Sequence, residues 1–309
     1  MTRHLLRDDD LTPSEQTAVL DLAARLKSEP FSRRPLEGPR TVAVLFDKPT
    51  LRTQASFAAG IVELGGYPMV IDGSLARIGV RESVADTARV LGRQAAAIVW
   101  RTFGQTSLEE MAAHAGVPVV NALTDEFHPC QTLADLLTVR EHRGPLAQQT
   151  LTFLGDAASN MGHSYLLAGA TAGLHVRVSG PPGFEPDPTV LDRAAEIAET
   201  TGGSARFVAD PVEACTGAGV LATDTWVSMG KEAESETRSE VFADWQLGAD
   251  LLAHGTDDAI VLHCLPAYRA KEITAEVIDG PHSVVWDEAE NRRHVQKAVL
   301  TWLLESSRG

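Results

Sequence analysis

The sequence predicts an α/β fold, with two doubly wound parallel-sheet domains and an active-site cleft between them. Three observations predict it. Short β-branched apolar runs alternate with helical stretches, the rhythm of a parallel sheet wrapped by helices. That rhythm restarts near residue 145, and 309 residues suit two domains of ordinary size better than one core. Polar residues stand at the carboxyl ends of the runs: Asp47, Arg101 and Asn121 in the first half, Asp156, Asp224 and His263-Cys264 in the second. Open α/β sheets bind ligands at that edge, and two such edges facing each other form one cleft.

In chain order, Thr12, Ser14 and Glu15 open a helix through Leu26, with Pro13 in its first turn. Lys27–Arg40 is charged and Pro-rich, hence a loop. Thr41–Phe46 is a buried strand that stops at Asp47-Lys48-Pro49, and a helix follows to Leu64 with Thr50 or Thr53 as its cap. The free N–H groups of that first turn, the helix dipole and Arg52 make an anion site, most simply for phosphate. The plainer alternative is a capped helix with a solvated arginine.

Tyr67–Ile71 is a second strand, and a Gly/Ser/Arg loop runs from Asp72 to Arg81. A helix over Glu82–Gln94 leads to a strand at Ala95–Trp100 that ends in Arg101. Ser107–Ala115 is helical, Val117–Val120 is a strand ending at Asn121, and Phe127–Arg143 is a helix with His128 and Gln131 in its first turn. In the second half, Leu151–Leu154 is a strand followed by a helix to Ala172. Further strands are predicted at Val176–Ser179, Ala205–Val208, Val220–Ala222, Ile260–Leu262 and Ser283–Trp286. Gly180–Pro188 and the charged Ser228–Ala243 are long loops, and Asn291–Glu305 is the closing helix.

Composition bounds the function. A formal net charge of −15 argues against a nucleic-acid binder, whose footprint is basic, though not against a small anion held by a few arginines. The 3 cysteines are few and odd in number, as in a reducing compartment. The opening residues lack the apolar core of a signal peptide, and no run approaches the roughly 20 apolar residues of a membrane span. A soluble cytoplasmic protein with no membrane partner is expected.

The chemistry-bearing residues each have a plainer reading beside them. Arg101 at a strand end can hold an anion or polarise a carbonyl, or be a surface arginine. His128 and Gln131 share a helix face at i,i+3 and can hold a carbonyl oxygen and an amide, or cap the helix. The Asp156–Asn160 turn lacks the G-x-G-x-x-G fingerprint, which disfavours a dinucleotide, and Asn160 can instead meet an amino-acid backbone. Asp224–Gly230 places a carboxylate, a hydroxyl and a methionine in one loop, suited to an ammonium and its carboxylate. Cys264 could be a nucleophile with His263 as base. Adjacent strand residues point to opposite faces, however, so a polar contact or simple burial fits better. The cysteines and histidines lack zinc-ligand spacing.

Taken together, the motifs resemble those of the aspartate/ornithine carbamoyltransferases, and most closely the ornithine branch. The likeness covers nearly the whole chain. It rests on Arg52-Thr53, Arg101-Thr102, His128-Pro-Cys-Gln131, Gly155-Asp156 with Asn160-Met161, and Asp224 with Ser228-Met-Gly230. His263-Cys-Leu-Pro266 and Asp287-Glu-Ala-Glu-Asn-Arg292 complete the set. The S-M-G loop and the H-C-L-P run are specific to the ornithine branch.

The resemblance implies a carbamoyl-phosphate domain over residues 1–145, completed by the C-terminal helix 291–309, and an ornithine domain over 146–290. It implies a homotrimer, or trimers of trimers, with active sites shared between subunits, and neither metal nor organic cofactor. Thr50, Leu51, Arg52, Thr53 and Arg101 would bind the phosphate of carbamoyl phosphate. Thr53, Arg101 and His128 would polarise its carbonyl. Gln131 and the Leu265 backbone would receive its amide, with Cys264 close by and Arg292 adding positive charge. L-ornithine would bind through Asn160, Asp224, Ser228, Met229 and Cys264, and its δ-amine would attack to give citrulline and phosphate.

Two places depart from the family pattern. Thr50-Leu51-Arg52-Thr53-Gln54 stands where the family reads S-T-R-T-R, so a hydroxyl and an arginine are missing. Arg77 stands where a glutamine reaches the neighbouring subunit's phosphate. The alternatives are a carbamoyltransferase with another amine acceptor, and a non-catalytic binding protein of the same fold.

Overall fold

The computed structural model describes residues 2–227 and 235–306 of a chain that divides into two units, Met1–Ala134 with Glu290–Gly309, and Asp135–Ala289. The first is built on a parallel sheet of β1 (Thr41–Phe46), β2 (Tyr67–Asp72), β3 (Ala97–Arg101) and β4 (Val119–Leu123), in the order β2-β1-β3-β4. Its helices are α1 (Pro13–Ser28), α2 (Arg52–Glu63), α3 (Gly73–Ala76), α4 (Val84–Gln94) and α5 (Gln105–Ala115). The chain passes into the second unit along α6 (Pro129–Arg143).

There β5 (Thr150–Leu154), β6 (His175–Ser179), β7 (Ser204–Phe207), β8 (Val220–Thr223) and β9 (Ile260–His263) form a parallel sheet in the order β7-β6-β5-β8-β9. The helices of this part are α7 (Asn160–Thr171), α8 (Pro188–Thr201), α9 (Pro211–Cys215), α10 (Ser235–Val241), α11 (Ala249–Leu252) and α12 (Ala275–Ile278). The chain returns to the first unit along α13 (Val285–Ser306).

The strand orders explain where the polar residues gather. In the first sheet the chain steps from β1 outward to β2, then returns past β1 to β3. In the second it steps from β5 through β6 to β7, then returns past β5 to β8. Parallel crossovers are right-handed, so a reversal of direction sends successive helices to opposite faces. The loops part at the β1/β3 and β5/β8 carboxyl ends, where such sheets leave room for a ligand. With both faces covered, β3, β4 and β8 are buried along their whole length. Ile98, Trp100, Leu108 and Met111 pack in one core. Leu221, Trp245, Val261 and Ile273 pack in the other.

Local chemistry sets most boundaries. The Thr12 hydroxyl accepts the Glu15 N–H while the Glu15 carboxylate accepts the Thr12 N–H, a capping box that starts α1. Within the first unit α13 is pinned by Lys297, which is fully buried, donates to the Leu26 carbonyl at 3.0 Å and pairs with Glu63.

Several expectations need correction. Ser283–Trp286 is not a strand: Ser283 makes a single bridge to Val261, and Val285 already opens α13. A run this short has no periodicity to separate a strand from a helix start. The stretch Asp72–Arg81 contains α3. In the charged stretch from Ser228 to Ala243, residues 235–241 form α10, and 228–234 lie outside the described residues. α8, capped by Asp187, fills a stretch to which the sequence periodicity assigned no element. α6 begins at Pro129, so His128 precedes the helix.

Candidate active site

In the first unit the candidate residues come from the ends of β1, β3 and β4 and from α13. The N-cap position of α2 is held by Leu51, not a threonine. The Thr50 hydroxyl nonetheless accepts the Thr53 N–H at 3.3 Å and so satisfies one free donor of the first turn. Arg52 is the first helical residue, at the positive end of the helix dipole. Thr53 is buried, and its hydroxyl accepts from Nη2 of the buried Arg292 at 2.6 Å. Leu51 is exposed.

Arg101 closes β3 at an irregularity in the ladder. Trp100 pairs with Asn121 but Arg101 pairs with Leu123, so Ala122 is an extra residue on β4. Such bulges re-aim side chains at sheet rims. The Arg101 side chain is buried, and so is that of His128. The His128 carbonyl accepts the Gln131 N–H at 2.9 Å, which starts α6. Burial holds the His128 imidazole well below its ordinary pKa, and the charges of Arg292, Arg101 and Lys48 push it further down. The ring is therefore neutral near pH 7, a hydrogen-bonding group among cations rather than one more cation.

Lys48 is a residue that sequence reasoning passed over. It is buried at the end of β1, pairs with Asp125 and lies 4.7 Å from the Phe103 ring centre. A lysine two residues past a buried strand, just ahead of the predicted anion loop, was the available signal. Its neighbour Asp47 has a structural task, accepting from Trp100 Nε1 at 2.8 Å. Gly73 makes room for that carboxylate, since a Cβ there would lie 1.8 Å from Asp47 Oδ1. Asn121 lies inside β4 and donates to the Leu6 carbonyl at 2.8 Å, so it ties the N-terminal segment to the sheet. Arg77 is exposed in a left-handed backbone conformation (φ 50°).

In the second unit Asp224 follows β8 and Cys264 follows β9. The Cys264 thiol donates to Asp224 Oδ1 at 3.1 Å, and the Thr225 N–H donates to the same oxygen at 2.7 Å. Burial raises the pKa of Asp224 and the charge of Glu272 adds to that, while the hydrogen bonds from the Cys264 thiol and the Thr225 N–H act in the opposite direction. The Cys264 thiol is pushed well up by burial first, then by Asp224, Glu288 and Asp135. It stays protonated, which is the wrong state for a nucleophile.

His263 cannot serve as its base. Its Nδ1 accepts the Leu265 N–H at 2.9 Å, and its Nε2 meets Glu272 at 3.1 Å. Ligand atoms of Asp224, His263 and Cys264 lie within 4.8 Å of one another, but an ion there would have to displace one of those imidazole bonds. What the cluster offers is the half-buried carboxylate of Asp224, which suits an amine or ammonium group.

Asn160 opens α7, whose cap is Ser159, with the Ser159 hydroxyl accepting the Gly162 N–H. Asp156, ahead of it, forms a buried ion pair with Arg238 at 2.7 Å. Arg238 also donates to the Trp226 carbonyl at 2.9 Å. Ser228 and Met229 lie outside the described residues.

Comparison with known proteins bears on both units. Residues 3–141 match the family described as aspartate/ornithine carbamoyltransferase, carbamoyl-P binding domain. Residues 147–303 match its Asp/Orn binding domain. An ornithine carbamoyltransferase of Clavibacter sepedonicus is 64% identical over 307 residues, which span 99% of this chain and 100% of that one. Among solved structures, the ornithine carbamoyltransferase from Pyrococcus furiosus superimposes with a TM-score of 0.93 at 41% identity, over 97% of this chain and 96% of that one. The enzyme from Gloeobacter violaceus gives 0.88 at 46% identity, over 98% of each chain.

Proposed function

The chain belongs to the aspartate/ornithine carbamoyltransferase family, and from that premise we propose how its residues carry the carbamoyl group of carbamoyl phosphate to the δ-amine of L-ornithine, giving L-citrulline and phosphate. The observation that carries this assignment of roles is the set of cations around a neutral His128. Thr50, the main chain from Leu51 to Thr53, Arg52 and Arg101 hold the phosphate dianion, and Arg292 adds charge. Arg101, His128 and Thr53 polarise the carbamoyl oxygen. Gln131 and the Leu265 main chain take its amide.

Ornithine is held by Asn160, Asp224, Ser228 and Met229, and Asp224 with Cys264 orients the reactive amine. The neutral δ-nitrogen forms the new C–N bond, and the C–O bond to phosphate breaks. Its electron pair leaves with the phosphate, and the amine loses a proton. Negative charge grows on the carbamoyl oxygen and the departing phosphate, and preorganised cations stabilise it most at that point. Positioning of the two reactants supplies much of the remainder.

Incubation of the protein with carbamoyl phosphate and ornithine yields citrulline and phosphate in equal amounts. Carbamoyl phosphate alone leaves no carbamoyl adduct on Cys264 by intact-protein mass spectrometry. An adduct that forms and then decays to citrulline would replace direct attack with a covalent route. Faster turnover of putrescine, lysine or an N-acylated ornithine would reassign the acceptor.

We further propose that the chain works as a homotrimer or a higher assembly of trimers. The first unit exposes an apolar set on α2 (Val62), on its β2 edge (Tyr67, Val70) and in the segment after it (Leu75 at 76% exposure and Val80 at 72%). An edge strand with such surface invites a partner. Arg77 directly follows α3 in that same segment and supplies phosphate charge to the neighbouring subunit, in place of the arginine missing at Gln54. Arg77→Gln raises the KM for carbamoyl phosphate about 10-fold, the scale of one charge-assisted hydrogen bond, and moves the ornithine KM less. In hybrids with Arg101→Ala subunits, some sites with an intact Arg101 regain tight donor binding from a neighbour's Arg77. Hybrids no better than the Arg77→Gln homotrimer would place Arg77 within its own site, and an unchanged donor KM in that homotrimer would remove it from donor binding.

A further inference from the structure

His263 and Glu272 are buried polar groups of the second unit to which the chemistry above gives no part. Each is 1% exposed. Nδ1 of His263 accepts the Leu265 N–H at 2.9 Å. A ring nitrogen that accepts carries no proton, so the neutral imidazole is protonated on Nε2. That nitrogen faces Glu272 Oε1 at 3.1 Å, and the same oxygen accepts the Tyr268 N–H at 2.5 Å. On the other side, the main-chain N–H of His263 donates to Glu288 Oε2 at 2.8 Å.

These bonds hold a turn that L residues seldom form. Leu265 has φ 58°, in the left-handed region that its side chain disfavours. Such a conformation persists only where the surroundings over-determine it. The bond from the Leu265 N–H to His263 is one such determinant, and it exists in one tautomer only. A carboxylate is an acceptor without a donor, so it can face Nε2 favourably only when Nε2 carries the proton. Glu272 thereby selects the tautomer, and the tautomer holds Leu265.

We propose that Glu272 is a positioning residue. Acting through His263, it fixes the Leu265 main chain in the conformation that receives the carbamoyl amide. This rests on the assignment above of that amide to Leu265. The Cys264 thiol on the same turn is held separately by Asp224 Oδ1 at 3.1 Å, so the influence of Glu272 falls first on Leu265 and the donor side of the reaction.

Glu272→Leu raises the KM for carbamoyl phosphate about 10-fold, the worth of one well-made hydrogen bond, and lowers kcat with it, while the KM for ornithine stays within about 2-fold. Glu272→Gln keeps a carbonyl oxygen that can accept from both Nε2–H and the Tyr268 N–H, so it restores the donor KM. Glu272→Asp, a methylene too short to reach Nε2, carries the same expectation as the leucine variant and serves where that variant fails to fold. The second measurement is the side-chain 15N NMR spectrum of the histidines, with His263 assigned by its loss in His263→Asn. The unaltered protein gives the Nε2-protonated tautomer, Glu272→Gln keeps it, and Glu272→Leu or Glu272→Asp loses it. An unchanged tautomer in the leucine and aspartate variants would overturn the proposal, whatever the kinetics. A lost tautomer with an unchanged donor KM would also overturn it, and would place the error in the assignment of the amide to Leu265. A glutamine variant as impaired as the leucine one would rule out hydrogen-bond acceptance as the means.

Discussion

Arg101→Ala lowers kcat by about 100-fold or more, the scale seen when one preorganised donor to a developing oxyanion is removed. Three features of Arg101 set that expectation. It stands at the carboxyl end of β3, next to the β1/β3 reversal. It stands at the register shift of the β3/β4 ladder. It is buried, and its charge reaches His128. A cation in such surroundings acts on growing negative charge without the screening of bulk water. Lysine in its place recovers only part of the loss, because an ammonium cannot make the paired, planar contact of a guanidinium with phosphate.

The pH profile carries an independent signature. His128 is held below its ordinary range by burial and by positive neighbours, and the proposed mechanism uses its neutral form. Activity falls as pH drops through its pKa. Removing Arg101 removes one of the charges that lower that pKa, so the acid limb moves to higher pH. Steady-state citrulline assays from pH 5 upward, on protein checked for folding by circular dichroism, make the test. Near-normal kcat in a folded Arg101→Ala protein removes Arg101 from the mechanism.

Arg238→Ala destabilises the protein by about 3–5 kcal/mol, which is the cost of stranding its partner rather than the worth of the pair. Asp156 and Arg238 are both largely buried and meet at 2.7 Å. The guanidinium also donates to the Trp226 carbonyl at 2.9 Å and lies 4.9 Å from the Phe184 ring centre. With Arg238 gone, Asp156 keeps the Ala158 N–H but loses its counter-charge. The fall in Tm is on the order of 10 °C for a unit of this size. Combining Arg238→Met with Asp156→Asn recovers much of it, because neither half of the pair is then left charged and alone. Thermal unfolding of the two single variants and the double variant measures the coupling. A Tm drop of only about 1 °C in Arg238→Ala would mean that solvent reaches Asp156 and the pair is structurally idle.

The alternation of strands and helices was legible in the sequence because it is local. The β-branched run Thr41–Phe46, the Thr12–Glu15 capping box and the amphipathic stretches report their own conformation through neighbours a few residues away. The second α/β half, the excess of acidic residues and the ornithine-branch motifs could be read the same way. Short elements were less legible. Ser283–Trp286 has no period to read, and its place in α13 follows from the helix that continues beyond it.

Only the tertiary structure decided the state and use of individual groups. Burial among Arg292, Arg101 and Lys48 makes His128 a neutral ring, although its sequence neighbours say nothing of those cations. Thr53 meets Arg292 across a separation of 239 residues, and Asp156 meets Arg238 across 82. Cys264 and His263 are adjacent in sequence, yet the thiol turns to Asp224 and the imidazole to Leu265 and Glu272. Periodicity fixes which face a side chain takes, because backbone geometry repeats every few residues. Protonation states and hydrogen-bond partners depend on desolvation and on charges brought close from elsewhere in the chain, and those exist only once the chain has folded.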